Sequence, residues 1–230
     1  MPSTVWIQFV KMPELGRVKT RLAATLGDDS ALEAHKTLAR QVNLQLVDFI
    51  KRQTGSSEQS LWLGLGTTSV SDAASLDASC KVFTDLGLTF DRAFFQRGEG
   101  LGERMTKAIV TGLRSADRVF IVGSDFPVLD PDYCLQAVAA LDDADVVLGS
   151  TEDGGYGLIG LKKTGGLSAH MSRECDGFGA VEWGTDTVCA QTKDSLESKG
   201  LSVALLPARF DVDTEDDWKR WRASAWCSDI

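Results

Sequence analysis

The stretch VWIQFVKMPELGRVKTR, residues 5–21, joins an apolar run directly to a basic loop. Residues 5–10 are rich in strand-forming residue types, which predicts a buried β-strand. Residues 11–21 then gather four basic side chains around one glycine: Lys11, Gly16, Arg17, Lys19 and Arg21. Because ligands of open α/β sheets bind beyond the carboxyl ends of strands, the loop is well placed to bind a ligand.

The chemistry of this loop suits phosphate. Glycine exposes backbone N–H groups, and lysine and arginine pair with phosphate charge. The sequence therefore predicts a phosphate-binding loop at residues 11–21, with a solvated basic loop as the alternative. It is not a Walker A motif, because no GxxxxGK[ST] pattern is present in the chain.

Predicted strands and helices alternate along the chain. Strands are expected at residues 5–10, 61–65, 81–84, 118–122, 145–148, 156–161 and 201–206. Helices are expected at residues 30–52, 101–115, 131–141 and 185–198, and after residue 213. This alternation predicts a three-layer α/β/α fold with a mainly parallel sheet. Residues 145–148 and 156–161 lie too close together for a helical crossover, so one of them is expected to be antiparallel and the sheet mixed.

Composition limits the kinds of partner. A hydrophobic share of 43% and a charged share of 25% are typical of a globular protein, and without linkers or repeats residues 1–230 are expected to form a single domain. The net charge of -9 argues against nucleic acid as a partner. No segment approaches the roughly 20 apolar residues of a membrane span. Five scattered cysteines without a CxxC pair favour reduced thiols and a cytoplasmic location.

Two acidic segments follow predicted strands. Asp125 lies in GSDFP, directly after the strand at 118–122, where a carboxylate is well placed to bind Mg²⁺ together with substrate phosphates. Asp213 lies in DVDT before the last helix, where it is also a natural N-cap residue. Converging on one edge, the two carboxylates would clamp a metal, and Asp211 is an alternative second ligand. A turn-capping role for Asp125 is equally compatible with the spacing.

The segment EDGGY, residues 152–156, is expected to form a hairpin turn between two neighbouring strands. Asp153 and Tyr156 are candidates to face a substrate across it. The two histidines carry weaker signals. His35 is expected on the surface of the first long helix, and His170 in an irregular segment without a recognisable partner.

Taken together, GRVKTRL, GSDFP, EDGGY, LIGL and DVDT resemble the nucleotide-diphospho-sugar transferase superfamily with the GT-A fold. Within it, the chain is similar to the glycosyltransferase-like DUF2064 family, which in turn is similar to the phospholactate guanylyltransferases. The resemblance extends from residue 9 to about residue 218 and implies a GT-A-like domain.

The resemblance also implies roles for individual residues. Lys11, Gly16, Arg17 and Lys19 match the nucleotide-phosphate loop, and Ser124 is a further candidate for nucleotide binding. Asp125 and Asp213 would hold Mg²⁺ or Mn²⁺, and Arg17, Lys19 and Asp125 would be catalytic. Gly154 and Gly155 match the segment that faces the acceptor or sugar, next to the substrate candidates Asp153 and Tyr156.

Three functions remain open at this point. The first is metal-dependent transfer of a nucleotidyl group from an NTP to a phosphorylated small acceptor. The second is glycosyl transfer from an NDP-sugar, and the third is a non-catalytic nucleotide-binding module. The expected partners are thus a nucleotide and a small molecule, without nucleic acid or membrane, and a homodimer is left open.

Overall fold

The computed structural model describes residues 2–53, 55–64, 73–163, 178 and 181–227. The strands are β1 (Thr4–Lys11), β2 (Ser57–Gly64), β3 (Arg92–Phe95), β4 (Arg118–Gly123), β5 (Val146–Thr151), β6 (Tyr156–Lys162) and β7 (Val203–Arg209). The described helices are α1 (Thr20–Leu26), α2 (Asp28–Arg52), α3 (Ala73–Asp85), α4 (Leu101–Ser115), α5 (Pro131–Asp143), α6 (Val188–Ser198) and α7 (Glu215–Arg222).

All seven strands form one sheet in the order β3-β2-β1-β4-β6-β5-β7. Strand β6 runs antiparallel to both of its neighbours, whereas every other neighbouring pair is parallel. The predicted mixed, mainly parallel sheet is therefore confirmed, and β6 is the antiparallel member of the β5–β6 pair.

Helices cover both faces of the sheet, which gives the predicted three layers. One core joins α4 and α6 to the face that carries Val5 and Ile7. On the opposite face, α2, α5 and α7 pack around Trp6, which stacks on Phe120 at 4.2 Å and meets Phe49 edge-on at 5.3 Å between ring centroids. Such aromatic pairs add to the burial of apolar surface.

The predicted strand at residues 81–84 is wrong, because these residues lie in helix α3. Their β-branched and aromatic composition imitates a short strand. Leu76, Cys80 and Phe83 nevertheless recur at helical spacing, and all three pack into the same hydrophobic cluster. The third parallel strand is β3, which pairs with β2.

Other element boundaries differ by a few residues. The short helix α1 was not predicted, and α6 begins at Val188 rather than at residue 185. Strand β7 spans Val203–Arg209 instead of 201–206. Residue 65 of the second predicted strand, His170 and Cys175 lie outside the described residues. Within the described part of the chain, no helix is long and apolar enough to cross a membrane.

Candidate functional site

A cleft of about 690 Å³ opens at the carboxyl ends of β1 and β4. The loop after β7 and the β5–β6 hairpin complete its walls. The predicted site residues that line it are Lys11, Arg17, Lys19, Ser124, Asp125, Asp153, Gly155, Tyr156 and Asp213. Gly16 and Gly154, which were also predicted, are not among the described residues that line it. The structure thus brings most of the residues predicted from separate segments into one cavity.

The basic loop after β1 folds back on itself before α1 begins. The N–H of Arg17 donates to the carbonyl of Glu14 at 3.1 Å, and the two side chains form an ion pair at 3.4 Å. Gly16 adopts φ +71°, a left-handed conformation that favours glycine. This turn directs the chain into α1 and aims the following residues at the cleft.

The ammonium group of Lys19 occupies the centre of the acidic wall. Its Nζ donates to the carbonyl of Val212 at 2.6 Å, to Asp213 Oδ1 at 3.3 Å and to Asp125 Oδ2 at 3.5 Å. Only 6% of this side chain is exposed. The two carboxylates that the sequence marks as metal ligands therefore converge, and a cationic group already lies between them.

A backbone contact between two loops brings these carboxylates together. The N–H of Val212, after β7, donates to the carbonyl of Asp125, after β4, at 2.9 Å. The N-cap of α7 is Thr214, which forms a capping box with Asp217. Asp213 is consequently not the capping residue, and its carboxylate faces the cleft, where Arg21 Nη1 binds the second oxygen at 3.0 Å.

Asp125 is accommodated by its neighbours on β4 and in the same turn. The N–H of Phe126 donates to the carbonyl of Gly123 at 3.2 Å and closes the turn. A Cβ atom at Gly123 would lie 2.5 Å from Asp125 Oδ1, so glycine leaves the space that the carboxylate needs. Desolvation is the largest influence on Asp125 and opposes its ionisation, but the charges of Lys19 and Lys11 and the hydrogen bonds to the carboxylate together outweigh it, so the pKa of Asp125 lies below its usual range.

Asp211 has the opposite electrostatics. Burial, followed by the nearby carboxylates of Asp125 and Asp153, raises the pKa of Asp211 to about 7. Asp211 also lines the cleft. It therefore adds a third acidic group beside Asp125, one that the structure keeps partly protonated near neutral pH.

A row of buried polar side chains along α2 contacts both the loop after β1 and the loop after β4. Gln8 of β1 donates to Ser124 Oγ at 3.0 Å and to the carbonyl of Ala39 at 2.8 Å, and it accepts from Asn43 Nδ2 at 3.0 Å. One turn before Ala39, His35 Nε2 donates to the carbonyl of Lys11 at 2.9 Å. Because paired buried polar groups restrict a structure to one arrangement, this row of side chains holds the basic loop after β1 in register with the loop of Asp125.

The surface position predicted for His35 is wrong. The residue is 6% exposed, and burial lowers its pKa. Its hydrogen bond to a carbonyl oxygen requires a proton on Nε2. The helical spacing of His35, Ala39 and Asn43 was a signal that the side chain follows the inward face of α2.

The β5–β6 hairpin forms the opposite wall, and its predicted turn is confirmed. Asp153 Oδ1 accepts from Thr151 Oγ1 at 2.6 Å and from the N–H of Gly155 at 3.0 Å, which fixes the turn. Tyr156 and Trp183 meet edge-on with ring centroids 6.4 Å apart. Both rings line the cleft.

The residues present fit a divalent cation. Among the described residues no cluster of three or more His, Cys, Asp or Glu side chains has metal-site geometry. The Lys19 ammonium nevertheless acts as a stand-in ion, because two carboxylate oxygens and one carbonyl oxygen converge on it. Oxygen donors of these two kinds are the ligands that Mg²⁺ and Mn²⁺ prefer.

Comparison with known proteins agrees with this architecture. The chain matches a family model described as "Uncharacterized protein conserved in bacteria (DUF2064)" over residues 68–185. No curated protein matches it. Among solved structures, a candidate nucleotide-diphospho-sugar transferase from Desulfovibrio desulfuricans is 29% identical at a TM-score of 0.73, covering 97% of this chain and 91% of that chain.

Two more distant structures share the fold. CMP:2-keto-3-deoxy-manno-octonic acid synthetase complexed with CTP is 11% identical at a TM-score of 0.53, covering 96% of this chain and 97% of that chain. The manganese complex of Rv0371c from Mycobacterium tuberculosis is 15% identical at a TM-score of 0.50, with coverage of 96% and 97%. The expected resemblance to nucleotide-diphospho-sugar transferases and nucleotidyltransferases is therefore confirmed at the level of the fold.

Proposed function

The chain belongs to the DUF2064 family, and we propose that it is a metal-dependent transferase that moves a nucleotidyl group from an NTP to a phosphorylated small acceptor. One observation carries this proposal. The carboxylates of Asp125 and Asp213 converge on a cation position within a cleft that the basic loop also lines.

The phosphate half of the cleft is made by one loop. Lys11, Arg17 and Arg21 line the cavity beside the acidic wall, in a chain whose net charge is -9. These residues make the cleft locally positive although the protein as a whole is acidic. A locally positive cleft attracts a highly charged anion such as a triphosphate. Arginine forks bind phosphate oxygens in pairs, and lysine adds a mobile point charge.

The metal half would be provided by Asp125 and Asp213. A divalent ion held by these carboxylates would neutralise negative charge on the bound phosphates. The neighbouring hairpin, with Asp153, Gly155 and Tyr156, would orient the acceptor on the other side of the cleft. We infer Mg²⁺ or Mn²⁺ from the oxygen donors, and the fold relative that was solved with manganese is consistent with this inference.

The chemistry requires positioning and electrostatics rather than a covalent intermediate. An oxygen of the acceptor phosphate forms a bond to the α-phosphorus of the NTP. The bond from that phosphorus to the bridging oxygen breaks, and pyrophosphate leaves with the electron pair. Arg17 and Lys19 would stabilise the negative charge that develops on the departing pyrophosphate.

Glycosyl transfer from an NDP-sugar is the second candidate. The observation that favours it is the 29% identity to a candidate nucleotide-diphospho-sugar transferase over nearly the whole chain. The same two carboxylates and the same basic loop would then hold a diphosphate that departs from the sugar. The two reactions differ in the bond that breaks and therefore in the product released.

Product analysis separates these functions. The protein is incubated with Mn²⁺, a panel of NTPs and NDP-sugars and a mixture of small acceptors, and pyrophosphate and NDP are both quantified. Pyrophosphate release supports nucleotidyl transfer, and NDP release supports glycosyl transfer instead. Nucleotide binding without either product would contradict both and favour a non-catalytic module.

The Asp125→Asn variant tests whether turnover uses this site. We expect it to lower the rate by about 10²- to 10³-fold, the usual cost of removing one electrostatic contact in an active site. Asp143→Asn is the matched control, because Asp143 is exposed at the end of α5 and is not among the described residues that line the cleft. An equal loss of rate in both variants, or no loss of rate in either, would contradict the assignment of Asp125.

A further inference from the structure

Lys19 occupies the position at which a metal bound by Asp125 and Asp213 would lie. Its Nζ is within 3.5 Å of one oxygen from each carboxylate and 2.6 Å from the carbonyl of Val212. The side chain is almost fully covered, with 6% exposed. Lys19 is thus an internal counter-cation for the acidic wall rather than a group extended toward solvent.

We propose that Lys19 and the divalent cation exclude each other, so that metal binds weakly to the free protein and enters together with the nucleotide phosphates. The proposal rests on the function proposed above. In the free protein the ammonium group neutralises the two carboxylates. When phosphates arrive, Lys19 transfers its contacts to them, and the vacated oxygens become ligands of the metal.

Charge makes simultaneous occupancy unfavourable. A divalent ion bound to the same oxygens would approach the ammonium group to within a few ångströms, and like charges at such distances repel strongly in a partly desolvated site. The ammonium group must therefore leave before the metal can bind. Because Lys19 already neutralises the two carboxylates in the free protein, a metal ion that binds to them there gains little binding energy.

Lys19 is also placed so that it can make the exchange. It belongs to the same loop as Lys11 and Arg17, and all three line the cleft. Its long flexible stem allows the ammonium group to move by rotation about side-chain bonds while the backbone stays in place. Phosphate oxygens replace the carboxylates as its partners, so its charge remains compensated throughout.

Arg21 provides a contrast on the same carboxylate. It binds the other oxygen, Asp213 Oδ2, at 3.0 Å, and its side chain is 67% exposed. Arg21 therefore does not occupy Asp213 Oδ1, the oxygen that Lys19 contacts. Its removal should therefore alter the charge of the site slightly without opening the cation position.

The exchange predicts opposite effects on two ligands when Lys19 is replaced. Mn²⁺ alone is titrated into the nucleotide-free full chain, with free Mn²⁺ followed by electron paramagnetic resonance. Inorganic tripolyphosphate is titrated separately by calorimetry in EDTA. For Lys19→Met we expect Mn²⁺ affinity to rise by about tenfold or more and tripolyphosphate affinity to fall by about tenfold, where tenfold corresponds to about 1.4 kcal/mol.

Two further variants make the result decisive. Lys19→Gly removes the same ammonium group and accepts the left-handed φ of 47° without a steric penalty, so it guards against misfolding of the Met variant. Arg21→Met is the matched control, for which we expect a change in Mn²⁺ affinity of about threefold or less, as for an exposed ion pair.

Unchanged or weaker Mn²⁺ binding in both Lys19 variants would overturn the proposal, as would the absence of Mn²⁺ binding in every protein tested. These measurements involve no turnover. A rise in Mn²⁺ affinity without any transferase product would therefore contradict the proposed function alone, and turnover without that rise would contradict the exchange alone.

Discussion

At the scale of single residues, Lys19 has an unusual backbone. Its φ of 47° and ψ of 48° lie in the left-handed region, and it is the one non-glycine residue with a positive φ in the described part of the chain. Such strain costs about 1–3 kcal/mol and persists only where the surroundings impose it. The three acceptors around Nζ compensate for it, which links the strained backbone to the proposed cation position.

The sequence predicted that Lys19, Asp125 and Asp213 serve one site, but not that Lys19 would bind the two carboxylates. Residue types and positions after strands indicate a shared edge of the sheet. Which group pairs with which depends on side-chain rotamers and on the contact between Val212 and Asp125, and neither leaves a pattern in the sequence.

Asp211 makes the stability of the metal-free protein depend on pH. Its pKa is raised from 3.8 to about 7, so folding penalises the ionised form. The stability that the protonated carboxyl contributes is complete below its unfolded pKa and is lost as pH rises through the folded pKa. Stability should therefore decline between about pH 4 and pH 7 on account of this group.

Asp211→Asn should remove that decline, because asparagine remains neutral. We expect the variant to gain stability over the wild type as pH rises from about 4 to 7, by at most about 4 kcal/mol, since one pKa unit is worth about 1.4 kcal/mol. Urea unfolding in EDTA at several pH values measures the gain. Asp143→Asn serves as the exposed control, and a difference for Asp211→Asn that does not vary with pH would refute this electrostatic origin.

At the scale of elements, the β5–β6 hairpin depends on Gly154. Its φ is +87°, and a Cβ atom there would overlap the carbonyl of Asp186, ahead of α6. The Gly154 carbonyl also accepts the N–H of Cys189 at 2.9 Å. The glycine therefore allows the hairpin turn to pack closely against the start of α6.

Gly154→Ala is expected to destabilise the fold more than Gly27→Ala. Gly27 has a similar φ of +82° with no atom within 4 Å of an added Cβ, so its variant incurs backbone strain alone. The overlap at Gly154 should add about 1–3 kcal/mol to that strain. Urea unfolding of both variants measures the difference in their free energies of unfolding. Equal losses of stability would contradict the prediction, because they would show that the hairpin moves to accommodate the added Cβ atom without a measurable loss.

Elements with clear periodicity were predictable, and those decided by tertiary packing were not. Strands β1 and β4 follow from apolar runs, and Asp130 caps α5 as its Asp-Pro sequence indicates, accepting from the N–H of Tyr133 at 2.8 Å. Residues 81–84 imitate a strand because composition outweighs period in so short a window. Helix α1 is short and relies on contacts with α2, which the local sequence does not show.

At the scale of the whole molecule, the site depends on the path of the chain after β7, which returns across the edge of the sheet toward β4. Strand order alone would not predict this path. Strand β7 is at the edge of the sheet, separated from β4 by β6 and β5. At about 4.8 Å per strand, that separation is roughly 14 Å. The chain after β7 returns across this distance, anchored by the buried side chains of Phe210 and Val212, and so delivers Asp213 to Asp125.

The alternation of elements predicted the sheet and its layers, and the acidic segments predicted the edge that carries the site. The return of residues 210–213 across the sheet could not be predicted, because it follows from packing between elements distant in sequence. The overall acidity of the chain gave no guide to the cleft either, since four of the 24 basic residues cluster at residues 11–21 and line it.

The most direct test is a crystal structure of the protein soaked with Mn²⁺ and a mixture of nucleotides, with the metal located by its anomalous scattering. We predict a Mn²⁺ peak between Asp125 and Asp213, nucleotide phosphates on the basic loop, and Lys19 turned from the carboxylates to those phosphates. Nucleotide bound with no metal between these carboxylates, or bound away from the loop, would contradict the proposed site.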